Sequence, residues 1–243
     1  MEINKLQKDL AAAFRWTARL NMNEGVANHF SACLPNTQNS FYVNKSGVHF
    51  SRIKANDLIL VTPENKNELI NKPDIVDPTA IHIHGTIHEK VPHAKCIFHV
   101  HSKYSTALST LKDPMLPPID QNTMRFYNRV SVFKEFGGLG FKEESIKMAN
   151  ALGNKQHMIL ANHGILITGQ NVASTFDELY YFEKSAETYL TALSTNKELN
   201  VVSHEVAEKT AQETLDYPVD TAKIHLEQIR LILDKEEPDY KNW

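Results

Sequence analysis

Two cysteines in 243 residues, Cys33 and Cys96, are too few and too far apart for a disulfide framework. Buried thiols in a reducing compartment are the expectation, with the cytoplasm as the expected location. Lysine and arginine nowhere gather into a dense block, and 26 basic against 29 acidic side chains leave a net charge of -3, which speaks against nucleic acid as a partner. No window reaches the roughly 20 uncharged apolar residues that a membrane span needs. The opening "MEINKLQKDLAAAFRW" is broken by Glu2, Lys5, Lys8 and Asp9, unlike the apolar core of a secretory signal. There is also no internal repeat, low-complexity tract or Gly/Ser linker. Residues 1–243 are therefore expected to form a single domain, long enough to bury a core of its own.

Periodicity supplies the elements. Leu6, Leu10, Phe14 and Thr17 recur at spacings of three and four, which predicts an amphipathic helix closed by "NMNEG". "FYVNKSG" reads as a strand stopping at Ser46-Gly47, and "DLILV" (57–61) as a buried strand before the turn Thr62-Pro63-Glu64-Asn65. Asp77 and Pro78 suit the cap and first turn of a helix that Pro92 ends. "AKCIFHVHS" follows as a strand and "SKYSTALSTL" as a helix; Pro114, Pro117 and Pro118 mark an irregular connection. "EESIKMANALG" reads as a helix ending at Gly153, "HMILAN" and "GILITG" as paired strands around His163-Gly164, and Val172 to Thr195 as a long helix. Helical patterns return from about 203 to 243. Their Ile224, Ile229, Leu231, Ile232 and Leu233 are dense enough to pack on the domain or on a neighbouring subunit. Alternating strands and helices predict an α/β fold.

Twelve histidines are many for this length, and their placement matters more than their number. In "IFHVHS" His99 and His101 lie two apart on a strand and so share a face, with Val100 behind them. Alone, the pair fits either a metal or a solvent-facing strand. His163 ends another apolar run, and Gly164 lets the backbone turn sharply beside it. Three neutral imidazoles with an open position form a catalytic zinc-type site, whereas His163 alone would read as a turn residue.

The segments "EGVANHFS", "VNKSGVHFSRIKANDLILV", "AIHIHGTIHEKVPHAKCIFHVHS", "DQNTMRFY" and "ILANHGILITG" together resemble the class II aldolase/adducin family, over nearly the whole chain. The resemblance implies a three-layer α/β/α sandwich around a mainly antiparallel sheet, and a homotetramer with active sites at subunit interfaces. It places the metal ligands on His99, His101 and His163, with zinc the first expectation and manganese or iron the alternatives. It places substrate-binding, anion-holding positions on Asn28, on Ser46 and Gly47, and on Thr79. Backbone N–H groups at turns and helix starts suit that task, although Asn28 and Ser46 also read as plain turn formers.

The sequence departs from the family at Ala80, where the sugar-phosphate aldolases carry a glutamate that moves protons. This places the chain in the adducin-like branch. His84 and His88 follow at intervals of four on the same helix stripe. His84 is the candidate proton carrier, with a further metal ligand or a packed helix residue as alternatives. Asp120 is a second candidate carboxylate that also reads as a turn residue. His29, His49, His82 and His93 carry no assignment.

A divalent ion with an open position stabilises an enediolate, whichever neighbouring bond breaks. The leading expectation is thus a lyase-type enzyme acting on a small oxygenated carbonyl compound by aldol cleavage, dehydration, decarboxylation or epimerisation. Two other readings stand beside it. One is a non-catalytic adducin-like assembly module, favoured by Ala80. The other is an iron-dependent oxygenase, disfavoured because the usual triad pairs two histidines with a carboxylate.

Overall fold

Side chains alternate faces along a strand, and here helices cover both faces, so the central strands are buried almost throughout. A computed structural model describes residues 2–37, 39–135 and 137–242; Met1 and Trp243 of the expected 1–243 domain lie outside the described residues. Seven strands among these form one sheet. They are β1 (His29–Cys33), β2 (Phe41–Val43), β3 (Ile59–Val61), β4 (Cys96–Val100), β5 (Val130–Phe133), β6 (His157–Leu160) and β7 (Gly164–Gly169). Their spatial order is β3-β2-β1-β4-β7-β6-β5. All pairings are antiparallel except β5 with β6.

Helices α1 (Glu2–Arg19), α7 (Val172–Leu193) and α9 (Thr221–Glu236) cover one face. Their Leu10, Phe14, Phe176, Leu179 and Leu226 meet Phe30, Phe98, Val100 and Ile165 in one apolar cluster. The opposite face lies under α3 (Pro78–Lys90) and α6 (Glu143–Leu152), where Ile83, Ile87 and Met148 meet Ile97, Met158 and Leu166. The result is the α/β/α sandwich around a mainly antiparallel sheet that the family resemblance implies. Helix α3 begins as expected, with the Asp77 carboxylate accepting from the Thr79 N–H and Pro78 in the first turn. It ends at Lys90, ahead of Pro92.

Helix α4 (Lys103–Ser109) leaves the end of β4 and packs on α7, while α2 (Lys66–Ile70) lies against α3. Helix α8 (His204–Leu215) packs on α5 (Gln121–Arg125). Helix α9 packs on α1 and α7 of its own chain. It buries Ile229 and Leu233 but leaves Ile224, Leu231 and Ile232 exposed. Among the described residues no helix is long and apolar enough to cross a membrane. Cys33 and Cys96 are buried and form no disulfide.

Three differences from the sequence reading have physical causes. Strand β1 was not predicted, because His29 and Ser31 interrupt its apolar pattern although both are buried. Strand β5 is a short segment between the irregular connection and α6, and its sequence alone offered no clear period. The expected strand 57–61 starts only at Ile59, because residues 55–57 form a helical turn in which the Asp57 carboxylate accepts from the Lys54 N–H.

Candidate metal centre and its surroundings

The register of the sheet assembles the site. His29 of β1 lies opposite His99 of β4, and Val100 of β4 lies opposite Ile165 of β7. His99 points to the α3 face while Val100 packs into the cluster under α1 and α7. The turn joining β6 to β7 then carries His163 alongside. Gly164 makes this approach feasible, since a Cβ there would lie 2.5 Å from the Val100 carbonyl oxygen and 3.1 Å from the His101 ring.

His99, His101 and His163 come together as the sequence predicts. Among the described residues they form a group whose candidate ligand atoms all lie within 4.8 Å of one another. Ring centroids are 4.8 Å apart for His99 and His101, 4.9 Å for His99 and His163, and 4.6 Å for His101 and His163. His99 Nδ1 donates to the Ile165 carbonyl at 2.9 Å, and His101 Nδ1 donates to the Glu24 carboxylate at 2.5 Å. With both rings neutral their Nε2 atoms are bare, and these face each other at 3.0 Å. Two lone pairs at this distance repel unless a cation lies between them. The spacing is near the roughly 3.3 Å expected for two nitrogens each about 2.0–2.1 Å from a tetrahedral ion. Burial, with the neighbouring imidazoles, holds His99 well below the usual histidine range and pushes His163 down to about 4. These two rings are thus kept neutral, the form that binds metal. The donor set fits a divalent ion.

The supports of the trio were not legible in the sequence. Glu24, which lies in the helix stop and in a family-like segment but carries no assignment from the sequence, orients His101. Glu183 of α7 accepts from the Ser102 and Ser105 hydroxyls at 2.6 Å each, from the Tyr104 N–H at 2.8 Å and from the Ser105 N–H at 2.9 Å. A buried carboxylate thus holds the first turn of α4, directly after His101.

Of the expected anion-holding residues, Asn28 precedes His29 and Thr79 approaches its ring. Asn28 takes a left-handed backbone with φ 78°, accepts from the Glu24 N–H, and receives the Asn44 amide on its own carbonyl. Its Nδ2 is buried without a hydrogen-bond partner, in a residue only 5% exposed. A donor left this way is available to an oxygen-rich ligand. Ser46 donates its backbone N–H to the Ile75 carbonyl, so that group is engaged, while Gly47 makes the turn at φ 71°. Thr79 directs both its N–H and its hydroxyl at Asp77 Oδ1. Its Oγ1 lies 3.5 Å from His29 Nε2.

The two acid/base candidates lie elsewhere. Asp120 is the cap of α5, accepting from the Thr123 N–H at 2.7 Å, which is the turn role also foreseen for it. His84 is fully buried and bonds to side chains rather than backbone, with His29 at 2.7 Å and Ser31 at 2.6 Å; it is not in the ligand group. Between it and the trio stands His29, whose ring lies 5.1 Å from that of His99. Burial pushes His29 down to about 4, against the pull of the Asp77 carboxylate. Ala80 is buried in the apolar cluster with Phe41, Val43 and Ile81. His49 bonds Ser51, His82 meets Phe141 edge to face, and His93 bonds the Lys155 carbonyl. A separate cavity of 850 Å³ opens at the opposite end of the sheet, between Cys33, Cys96 and α9.

Residues 8–190 match the family described as the Class II Aldolase and Adducin N-terminal domain. A solved structure of an aldolase II superfamily protein from Pseudomonas syringae superposes with a TM-score of 0.85 at 28% identity, covering 98% of this chain and 96% of that one. The L-fuculose 1-phosphate aldolase of Glaciozyma antarctica PI12 superposes with a TM-score of 0.82 at 26% identity, covering 98% and 92%. Decarboxylase NovR of Streptomyces niveus is 29% identical over 67% of this chain and 60% of its own length.

Proposed function

Because the chain belongs to the class II aldolase and adducin family, we propose that it is a single-domain, metal-dependent lyase-type enzyme acting on a small oxygenated carbonyl compound. The carrying observation is the trio itself: two imidazoles locked by their Nδ1 bonds so that bare Nε2 atoms meet at 3.0 Å, with His163 beside them. Zinc is the first choice, with manganese and iron as alternatives, and such an ion would supply Lewis acidity that makes the bond next to a carbonyl easier to break.

The chain's own residues supply binding and proton handling. Asn28 offers its buried Nδ2 to a substrate oxygen, with Thr79 beside His29 on the same side. His99 and His163 stay neutral through burial. His84 stands behind His29, so a proton that it handles passes through His29. Asp120 is left with its capping role. The same reading puts the enzyme in the cytoplasm as a homotetramer with sites at subunit contacts, supported by the exposed apolar side chains Val26 and Phe141. Ala80 favours a second reading, the assembly module.

Metal analysis of the purified protein separates the two. About one divalent ion per chain, lost in His99→Ala, is expected for the enzyme. Deuterium exchange beside the carbonyl is then expected for at least one compound in a screen of keto acids, hydroxy acids and sugar phosphates. A folded, metal-free protein would leave the module, and full metal occupancy in His99→Ala would remove the assigned site.

A further inference from the structure

The polar side chains between β1 and α3 extend well beyond the metal centre. His29, Ser31 and Cys33 alternate along β1 and share the face beneath α3, while His84 and His88 descend from consecutive turns of that helix. All five are buried. Their contacts form one line: His29 Nδ1 to His84 Nε2 at 2.7 Å, His84 Nδ1 to Ser31 Oγ at 2.6 Å, and Ser31 Oγ to His88 Nε2 at 2.8 Å. His88 Nδ1 then meets the Ala94 carbonyl oxygen at 2.6 Å, with Cys33 Sγ 3.2 Å from the same nitrogen.

A neutral imidazole has one N–H and one lone pair, and a hydroxyl has one O–H, so fixing one end of such a line fixes the other. A carbonyl only accepts. His88 Nδ1 therefore carries the proton and its Nε2 is bare. Ser31 donates to that Nε2 and accepts from the Nδ1–H of His84. The bare Nε2 of His84 accepts from the Nδ1–H of His29, which leaves His29 Nε2 with a lone pair. The opposite direction would set a bare His88 Nδ1 against the Ala94 oxygen at 2.6 Å, and a thiol at 3.2 Å is too weak a donor to offset that. Thr79 does not fill the His29 lone pair, because its single hydroxyl proton goes to Asp77 Oδ1, 2.7 Å from Thr79 Oγ1, whereas His29 Nε2 is 3.5 Å from that oxygen.

We propose that this one-way line locks His29 in the tautomer whose Nε2 is a bare proton acceptor beside Thr79 and the metal centre, with Ser31, His84 and His88 as its positioning residues. A proton taken from a substrate C–H or O–H would leave its bonding pair on the substrate and form the Nε2–H of a His29 imidazolium. The role lost at Ala80 is thereby taken over from β1. The use of the line rests on the enzyme reading above, but its direction does not.

Long-range proton–nitrogen NMR spectra of the metal-free, 15N-histidine-labelled protein near pH 7.5 report which ring nitrogens carry protons, with assignments from single His→Gln variants. The expected result is Nδ1–H and bare Nε2 for His29, His84 and His88 alike. Ser31→Ala should turn His29 and His84 into tautomer mixtures while His88 keeps its Nδ1 proton. A wild-type His29 carrying its proton on Nε2, or one already mixed, overturns the proposal, as does a Ser31→Ala variant with unchanged His29 and His84. Metal content and carbonyl-adjacent exchange are read separately. Failure there removes the enzyme reading and leaves the tautomers as found.

Discussion

Glu24 shows how much of the centre depends on a residue that is not a candidate ligand. Its carboxylate accepts the Nδ1–H of His101 and turns Nε2 toward His99, yet its own side chain is 62% exposed. Glu24→Ala should therefore leave thermal stability nearly unchanged while weakening zinc binding by about 10–100-fold, as loss of such a support usually does. A competition titration with a chromophoric chelator measures this directly, and affinity equal to wild type would mean that His101 needs no orientation. The three ligands were legible in the sequence because strand periodicity and a turn glycine are local signals. Glu24 was not, because it reaches His101 across 77 residues of chain. His29 was passed over for a related reason. No strand is predicted over "HFSAC", so nothing local gives His29 a face, and only α3 covers it with further histidines.

At the scale of elements, α4 has to start where β4 stops, because His101 sits between Val100 and Ser102. Glu183 of α7 imposes that junction with four hydrogen bonds on one carboxylate, three of them on Oε2. Glu183→Gln keeps the shape but removes the charge, and it must set an NH2 group against either the Tyr104 N–H or the three donors of Oε2. The cost should be about 2–3 kcal/mol, the scale of a buried charged acceptor replaced by a mismatched one. Chemical denaturation measures the loss, and zinc affinity should fall with it. An unchanged unfolding midpoint would show that α4 is held by its apolar contacts alone. The helix boundaries themselves were readable from capping residues such as Asp77 and Pro78. The partner of a helix start on another helix has no such local mark.

For the whole molecule, the buried histidines set the response to acid. Burial pushes His88 down to about 4, only partly opposed by its bond to the Ala94 carbonyl, and His29 and His163 are likewise at about 4. These groups have an ordinary value near 6.5, so between about 6.5 and 4 the unfolded chain binds more protons than the folded one. The stability they contribute is complete above that window and lost as pH falls through it. Glu178 behaves likewise in a lower window: burial works to raise it, but bonding to His157 and the charge of Arg125 hold it at about 2, so its contribution is lost only as pH falls from 4.5 toward 2. The metal-free protein should therefore weaken first between pH 6.5 and 4, before its carboxylates respond. His88 alone would account for about 3 kcal/mol of that fall. Urea unfolding at several pH values tests this. The midpoint of the wild type should drop across the upper window and that of His88→Gln should drop less steeply, and zinc should carry the descent to lower pH by binding only the folded, neutral trio. Parallel slopes for wild type and His88→Gln would show that His88 is charged, or reached by water, in the folded protein.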